Sequence, residues 1–402
     1  MTTPLVSVVV VSRHRPHDLR RCVRALDFQT YRNFELILVT DAETAKSLSS
    51  LAPTDRLKSA ICAEANISKA RNLGVMLAAG DVAAFIDDDA IAEPTWLARL
   101  VAPFTTPEVA ASGGFVRGRN GISLQWQAEE IAPDGESLPI RLSGHSAQIM
   151  TAGRAIKTQG TNCAFRRDTL IALGGFDENY RFYLDETDVN LRIAQAGFST
   201  AIVPDAEVQH GYAPSPMRGR DRRPKSLFEI GASQAYFVQK YGRPDSDLDA
   251  LRRRQSKRLD TGLVRGILEP CDVLRLKRDL EAGIAQGRTR QQKPAPPRQN
   301  APDFKPFASK ENLPAHRYVS GHWSERRSIY NRAKALSDAG TPCTAIVLSR
   351  TALFHRRWFH SDGFWVQSGG IFGKSSRSQP LWSWYRLSER VKVEQHLLDV
   401  TR

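Results

Sequence analysis

The sequence predicts an α/β protein. A mainly parallel sheet flanked by helices is expected over residues 1–245, then a basic helical connector with a Pro/Gln/Arg-rich linker over 246–303, then a small, basic, Trp-rich α+β region over 304–402. Three observations lead there. Short β-branched runs alternate with segments of helical spacing, the pattern of a parallel sheet covered on both faces. The 402 residues suffice for two or three domains, and 41% hydrophobic content suffices for packed cores. Charge is uneven: residues 1–245 hold 28 Lys and Arg against 28 Asp and Glu, whereas 246–402 hold 29 against 15, so the whole net charge of +14 lies in the later part. Two parts with different tasks follow, the second drawn to something anionic.

The elements read in order. "LVSVVVV" (5–11) is a strand, and "RPHDLRRCVRAL" after it is a helix, with Pro16 suited to a first turn and Leu19, Cys22, Val23 and Leu26 on one face. "FELILV" (34–39) is a second buried strand. "NISKARNLGVMLAAG" has helical spacing at Ala70, Leu73, Gly74 and Leu77, and "VAAFI" (82–86) returns as a strand. A helix from Pro94 carries Trp96, Leu97, Leu100 and Val101. "EVAASGGFVRG" supplies another strand, while residues 117–158 have no readable period. "RRDTLIALGGFDE" is a short helix stopped by glycines, "DETDVNLRIAQAG" a longer one closed at Gly197, and "STAIVP" (199–204) a strand. The amphipathic "SLFEIGASQAYFVQKYG" (226–242) is expected to close the domain.

Beyond Pro244 the texture changes to basic helix, then to the linker composition of "QGRTRQQKPAPPRQNAP". A helix at "SERRSIYNRAKALSDAG" and strands at "TAIVLS" and "GFWVQSGG" are expected in the last hundred or so residues. No window approaches the roughly 18 apolar residues of a membrane span, and the first apolar run is too short for a signal peptide, so the chain reads as cytoplasmic. The five cysteines (22, 62, 163, 271, 343) show no CxxC spacing and suggest neither a disulfide framework nor a zinc site.

Two acidic groups stand out. In "AAFIDDDAIAEPTW", Asp87, Asp88 and Asp89 sit at the carboxyl end of a strand, where open α/β sheets bind ligands. Adjacent carboxylates repel unless a positive charge sits among them, whether a metal ion, Arg/Lys or only water screens them. Aspartates in a turn can hold Mg²⁺ or Mn²⁺ with positions left for phosphate oxygens. In "YLDETDVNLRIAQAG", Asp185, Glu186 and Asp188 open a helix, which the helix dipole alone would favour. His210 follows at the end of a strand in "PDAEVQHGY".

Together, "VSVVVVSRHRPHDLRRCVRALDFQTYRNFELILVTD", "NISKARNLGVMLAAGDVAAFIDDDA", "GTNCAFRRDTLIALGGFDE" and "DETDVNLRIAQAG" resemble the family 2 inverting glycosyltransferases of the GT-A (nucleotide-diphospho-sugar transferase) fold, similar to enzymes that build bacterial polysaccharides and cell-wall glycans. The resemblance spans residues 5 to 242, about 60% of the chain. It implies a D-x-D motif at Asp87 and Asp89, with Asp88 near the nucleotide ribose. It implies that His210 completes a Mn²⁺ or Mg²⁺ shell and that Glu186, second of the acidic pair, is the general base. The pair is usually Glu-Asp and here reads Asp-Glu, so Asp185 stays an alternative base.

The family's Pro-Thr-Tyr-Asn at the first strand is replaced by "VSRHR", putting Ser12 and Arg13 near the donor base, and Asp-Asp-Gly-Ser is reduced to "TDAE", leaving Asp41 for the nucleobase or ribose. Arg71 matches a basic residue facing the nucleotide, or is a helix-surface charge. "TQGTNCAFRR" (158–167), with Thr161 and Asn162, lines the acceptor side or is a buried turn. Trp126 stacks on a sugar or belongs to the core.

The implied activity is transfer of a sugar from a nucleotide-diphosphate donor to a hydroxyl on a glycan or lipid-linked glycan. A non-catalytic glycan-binding protein on the same fold is one rival. A sugar nucleotidyltransferase is another, but it would want a Gly-rich loop after the first strand, and "VSRHRPHDL" has no glycine. Five of seven tryptophans (323, 358, 365, 382, 384) lie in the basic C-terminal part, which suits peripheral contact of 246–402 with an anionic membrane or glycan, or a packed accessory domain. No nucleic-acid-binding motif is present.

Overall fold

The computed structural model describes residues 3–48, 56–219, 221–292, 302–307 and 312–401. The chain runs β1 (Val6–Ser12), α1 (Pro16–Leu26), β2 (Phe34–Thr40), α2 (Ala42–Ala45), β3 (Leu57–Ile61), α3 (Ile67–Leu77), β4 (Val82–Asp87), β5 (Ala90–Ala92), α4 (Trp96–Val101) and β6 (Val109–Arg117). Residues 117–158, which have no period, form short pieces: β7 (Leu124–Trp126), β8 (Glu129–Ile131), β9 (Ser137–Pro139), β10 (Gln148–Met150) and β11 (Ile156–Lys157). Then come β12 (Asn162–Arg166), α5 (Arg167–Ala172), α6 (Asp185–Gln195), β13 (Ser199–His210), α7 (Phe228–Lys240), α8 (Ser246–Val264) and α9 (Pro270–Gly287).

The main sheet has the order β10-β13-β6-β12-β4-β1-β2-β3, with β5 on β13 and β7 on β6. Strands β3, β2, β1 and β4 are parallel; β12 runs against β4 and β6, and β13 runs along β6. The α/β class is thus realised as a mostly parallel mixed sheet. Strand β12, read from sequence as a turn or acceptor lining, is short but wholly internal, so it carries no alternation to reveal it.

Alternate residues feed two cores. Val6, Val8 and Val10 of β1 and Phe34, Leu36 and Leu38 of β2 face α1 through Leu19, Cys22, Val23 and Leu26. Val9, Ile37 and Val39 face α3 and α6 through Ala70, Val75, Val189 and Ile193. Gly74 lets α3 approach: a Cβ there would stand 2.4 Å from Val9 Cγ1.

The domain boundary expected at 245 cuts through a shared core. Leu248, Leu251 and Leu259 of α8 and Leu276, Leu280 and Ile284 of α9 pack with Leu227, Ala235 and Val238 around α7, so the connector helices are built onto the first body. Hydrophobic burial overrides the charge break that suggested the boundary. The linker centred on residues 293–301 lies outside the described residues.

The C-terminal part comprises β14 (Arg317–His322), α10 (Arg326–Asp338), β15 (Cys343–Ser349), β16 (Arg356–Phe359), β17 (Trp365–Gly370) and α11 (Leu387–Thr401). Its sheet order is β14-β15-β17-β16, with only β16 antiparallel. Helix α10 packs on one face through Ile329 and Ala333, and α11 on the other through Val391 and Leu398. Docking to the first body uses Arg24 Nη2 to the Ser337 carbonyl (2.7 Å), Gln209 Nε2 to the Arg357 carbonyl (2.7 Å) and Phe28 against Trp365. Trp365 is core, whereas Trp382 and Trp384 are exposed. No described helix is long and apolar enough to cross a membrane.

Candidate active site

Strand β4 is flanked by β1 on one side and β12 on the other, and β1 leads to β2 away from β4. The crevice at this switch of direction is where such sheets take ligands. Val11 pairs with Asp87 there, so the aspartates emerge beside the end of β1. Asp89 precedes β5, whose Ala90 pairs with His210. The partner strand β13 breaks register on β6 between Val203 and Val208, a bulge that turns its last residues toward β5. Local pairing thus carries His210 onto Asp89.

His210 Nε2 stands 3.2 Å from Asp89 Oδ1 and 3.9 Å from Asp87 Oδ2. One donor atom from each of the three lies within 4.8 Å of the others. The other imidazole nitrogen, Nδ1, meets Gln125 Oε1 at 3.3 Å, and Asp89 Oδ2 accepts from the Ala213 N–H at 2.6 Å. Nε2 thus faces the two carboxylates, where either a proton on the ring or a cation between the three groups satisfies them. Two carboxylates and an imidazole suit a divalent ion, and Asp87, with its side chain 36% exposed, leaves one side open. Trp126 is half-buried and lies on the His210 ring at 5.7 Å and 29°, covering a candidate ligand.

Asp89 is held down at about 2: burial opposes its charge, but the His210 contact and the Ala213 N–H outweigh it. Asp88 is pushed up to about 7, first by burial, with Asp89 adding to it against Arg15 and Ser12. It turns inward, accepting from Ser12 Oγ (2.7 Å) and Arg15 Nη1 (2.9 Å). Ser12 is itself buried, so Ser12 and Asp88 brace each other at the end of β1. Arg13 reaches the carbonyl of Ala63 (3.0 Å).

Asp41 caps α2. Its oxygens accept from His14 N, Glu43 N, Thr44 N and Thr44 Oγ1 at 2.7–3.1 Å. Burial would raise its pKa, yet these four donors hold it well below the carboxylate range. Its acceptor sites are met by the chain itself. His14, Asp41 and Glu43 also cluster, but two of the three are exposed and Asp41 is so committed.

Arg71 is buried, not a helix-surface charge. It pairs with Asp185, reaches Asp87 Oδ1 at 3.8 Å and donates to the Gly160 carbonyl at 3.0 Å. One guanidinium therefore links the aspartates of β4 to the acidic start of α6. Before α6, Leu184 has φ +68, and among the described residues the other non-glycine residues with positive φ are His14, Tyr212 and Arg222.

Asp185 and Glu186 interact strongly and titrate as a unit. Burial, then the neighbouring Glu186 charge, drives Asp185 well above its usual range despite Arg71. Burial also opposes the Glu186 charge, but the hydrogen bond from Asp185, followed by Lys157 and Arg71, holds Glu186 below its ordinary value. Of the two, half-buried Glu186 is thus the one whose charged form is favoured. Asp188 is structural: Lys240 lies at 2.6 Å, Arg192 Nε at 2.8 Å and Tyr241 Oη at 2.8 Å.

Asn162 has no exposure; its Oδ1 accepts from Trp96 Nε1 (2.7 Å), and Nδ2 donates to the carbonyls of Phe115 (2.9 Å) and Ala206 (2.7 Å). It ties β12 to β6 and β13. Thr161 is likewise buried. Asn162→Ala should lower the unfolding free energy by at least about 2 kcal/mol in urea titration, because three polar groups lose their partner. An acceptor contact would instead change KM at unaltered stability.

An arginine cluster escaped sequence reading. Arg119, Arg218 and Arg222 lie over the Tyr212 ring at 5.6, 5.1 and 4.3 Å. Arg218 feels the field of Asp89, and Arg258 of α8 feels both Arg218 and Arg222. Burial first, and for Arg258 those two neighbours next, lower both guanidiniums. Among the described residues no carboxylate pairs with Arg218, Arg222 or Arg258, so the cluster repels itself until an anion enters. The run "SPMRGRDRRPK" directly after His210 was the available signal.

The family model described as "Glycosyltransferase like family 2" matches residues 4–227. A glucosyl-dolichyl phosphate glucuronosyltransferase of Haloferax volcanii is 32% identical over 184 residues, 43% of this chain and 56% of that protein. The O-antigen biosynthesis protein RfbC of Myxococcus xanthus is 27% identical over 230 residues, 52% of this chain and 17% of that protein. These matches therefore span little more than half of the first relative and a small part of the second. A solved mannosyltransferase from Pyrobaculum calidifontis, in complex with GDP-Man and Mn²⁺, aligns with a TM-score of 0.42 at 15% identity over 71% of this chain and 88% of that one.

Proposed function

The chain belongs to the glycosyltransferase-like family 2, and from that premise we propose that it is an inverting glycosyltransferase moving a sugar from a nucleoside diphosphate to a hydroxyl of a glycan or lipid-linked glycan. The observation that carries this reading is the Arg71 bridge, which joins the Asp87–Asp89–His210 donor set to the Asp185–Glu186 pair in one crevice. Mn²⁺ or Mg²⁺ would be held by Asp87, Asp89 and His210. When bound, the cation supplies Lewis-acid stabilisation of the charge on the departing diphosphate.

The chain's own groups supply the rest. Ionised Glu186 takes the proton of the attacking hydroxyl as the new bond forms at the anomeric carbon and the sugar–phosphate bond breaks on the opposite face. Protonated Asp185, held by Arg71, orients Glu186 through their hydrogen bond. Arg218, Arg222 and Arg258 are positioned to accept phosphate charge.

A donor panel with Mn²⁺, Mg²⁺ or chelator, with the product anomer read by NMR, tests this. Cation-dependent transfer with inverted configuration is expected, and retained configuration or release of a nucleotide sugar would contradict it. Arg258→Ala should weaken nucleoside diphosphate binding by about tenfold or more, and the monophosphate by less, in calorimetric titration.

A further inference from the structure

The loops that follow β15 and β17 meet at one edge of the C-terminal sheet and expose a cluster of large apolar side chains. Leu353 is 64% exposed, Phe354 56%, Leu381 66%, Trp382 58% and Trp384 76%. They are contiguous. Residues 373 and 382 bridge, Ser383 N donates to the Phe372 carbonyl at 3.0 Å, Trp384 packs on Phe372 at 5.0 Å and Trp382 on Trp384 at 5.9 Å. Lys374 Nζ lies 5.0 Å from the Phe354 ring, closing the patch on its other side.

The loops are anchored rather than loose. Ser375 Oγ donates to Glu394 Oε1 at 2.7 Å, Arg390 Nη2 pairs with the same oxygen at 2.8 Å, and Gln379 Oε1 accepts from Ser375 N at 2.7 Å. Glu394 and Arg390 are buried beneath the patch, so a rigid polar network holds the aromatic rings in water. In residues 350–386, Arg350, Arg356, Arg377 and Arg386 are exposed and Lys374 is half-buried, Arg357 is buried, and Asp362 is the one acidic residue.

We propose that this patch docks the protein onto an anionic lipid surface, with Trp382, Trp384, Leu353 and Phe354 entering the headgroup–acyl boundary and the surrounding basic residues meeting lipid phosphates. Exposed Trp, Leu and Phe on loop tips ringed by Lys and Arg have the chemistry of that boundary. A glycan platform would need a flat ring face bordered by hydrogen-bonding groups. Here Trp382 meets Trp384 at 86° and Trp384 meets Phe372 at 64°, so the three rings share no common plane. A second copy would face this basic rim with its own, like charge against like. The patch lies outside residues 4–227 and stands independently of the catalytic reading.

Co-sedimentation of the full chain with phosphatidylglycerol/phosphatidylcholine vesicles, against pure phosphatidylcholine, tests the proposal. Binding to the anionic vesicles, weakened by salt and accompanied by a blue shift of Trp emission, is expected. Trp382→Ser/Trp384→Ser should bind at least about tenfold more weakly, and Arg377→Glu/Arg386→Glu should lose the preference for anionic lipid. Donor hydrolysis without vesicles should be unchanged in both variants, which separates this surface from the active site. Wild-type protein left in the supernatant, equal binding to both vesicles, quenching by soluble glycan instead, or a Trp-dependent dimer in sedimentation would each overturn it.

Discussion

Glu186→Gln is expected to cut sugar transfer by about 10²- to 10⁴-fold, the usual contribution of a positioned general base, while nucleotide-sugar binding stays within a few-fold of wild type. The amide keeps the size of the side chain and cannot take the hydroxyl proton. The pH profile gives a second handle. Glu186 is held below the ordinary carboxylate range, so the base is ionised at neutral pH, and the rate should fall only as pH drops through that lowered value. Asp185, driven up by burial and then by the Glu186 charge, is expected not to take over as base. Asp185→Asn, which preserves a donor toward Glu186, should retain far more activity than Glu186→Gln in single-turnover assays. The opposite order would make Asp185 the base.

Asp89→Ala is expected to abolish cation-dependent donor binding, with a loss greater than about 100-fold, since even supporting groups around metal ligands cost 10–100-fold when removed. Asp89 is the best-defined member of the triad. It contacts His210 at 3.2 Å and is locked by the Ala213 N–H, so its removal also frees His210 from its partner. Calorimetric titration of Mn²⁺ and nucleoside diphosphate would read the change. Binding that is indifferent to both the substitution and chelator would remove the cation from the account.

The strands over 5–11 and 82–86 were legible in sequence because β-branched runs are local signals, whereas the meeting of the two acidic groups was expected from the family resemblance. What the acidic residues touch was not legible. Nothing local in the sequence shows that Ser12 and Arg15 donate to Asp88, or that His14 and Thr44 donate to Asp41. Nor does the sequence show that β12 carries Asn162 into the sheet, where Trp96 donates to it. Arg258 could not be seen at all, because its place beside Arg218 and Arg222 depends on α8 packing against α7, a hydrophobic contact hidden under basic composition.

The central claim is that one crevice holds the cation donor set and the proton acceptor together. A crystal grown with Mn²⁺ and nucleoside diphosphate, and phased for manganese anomalous scattering, tests it directly. The account predicts a single strong peak at about 2.1 Å from carboxylate oxygens of Asp87 and Asp89, and at similar range from His210 Nε2, with the diphosphate running toward Arg218 and Arg222. A peak at His14, Asp41 and Glu43, or a diphosphate bound away from the crevice, would contradict it.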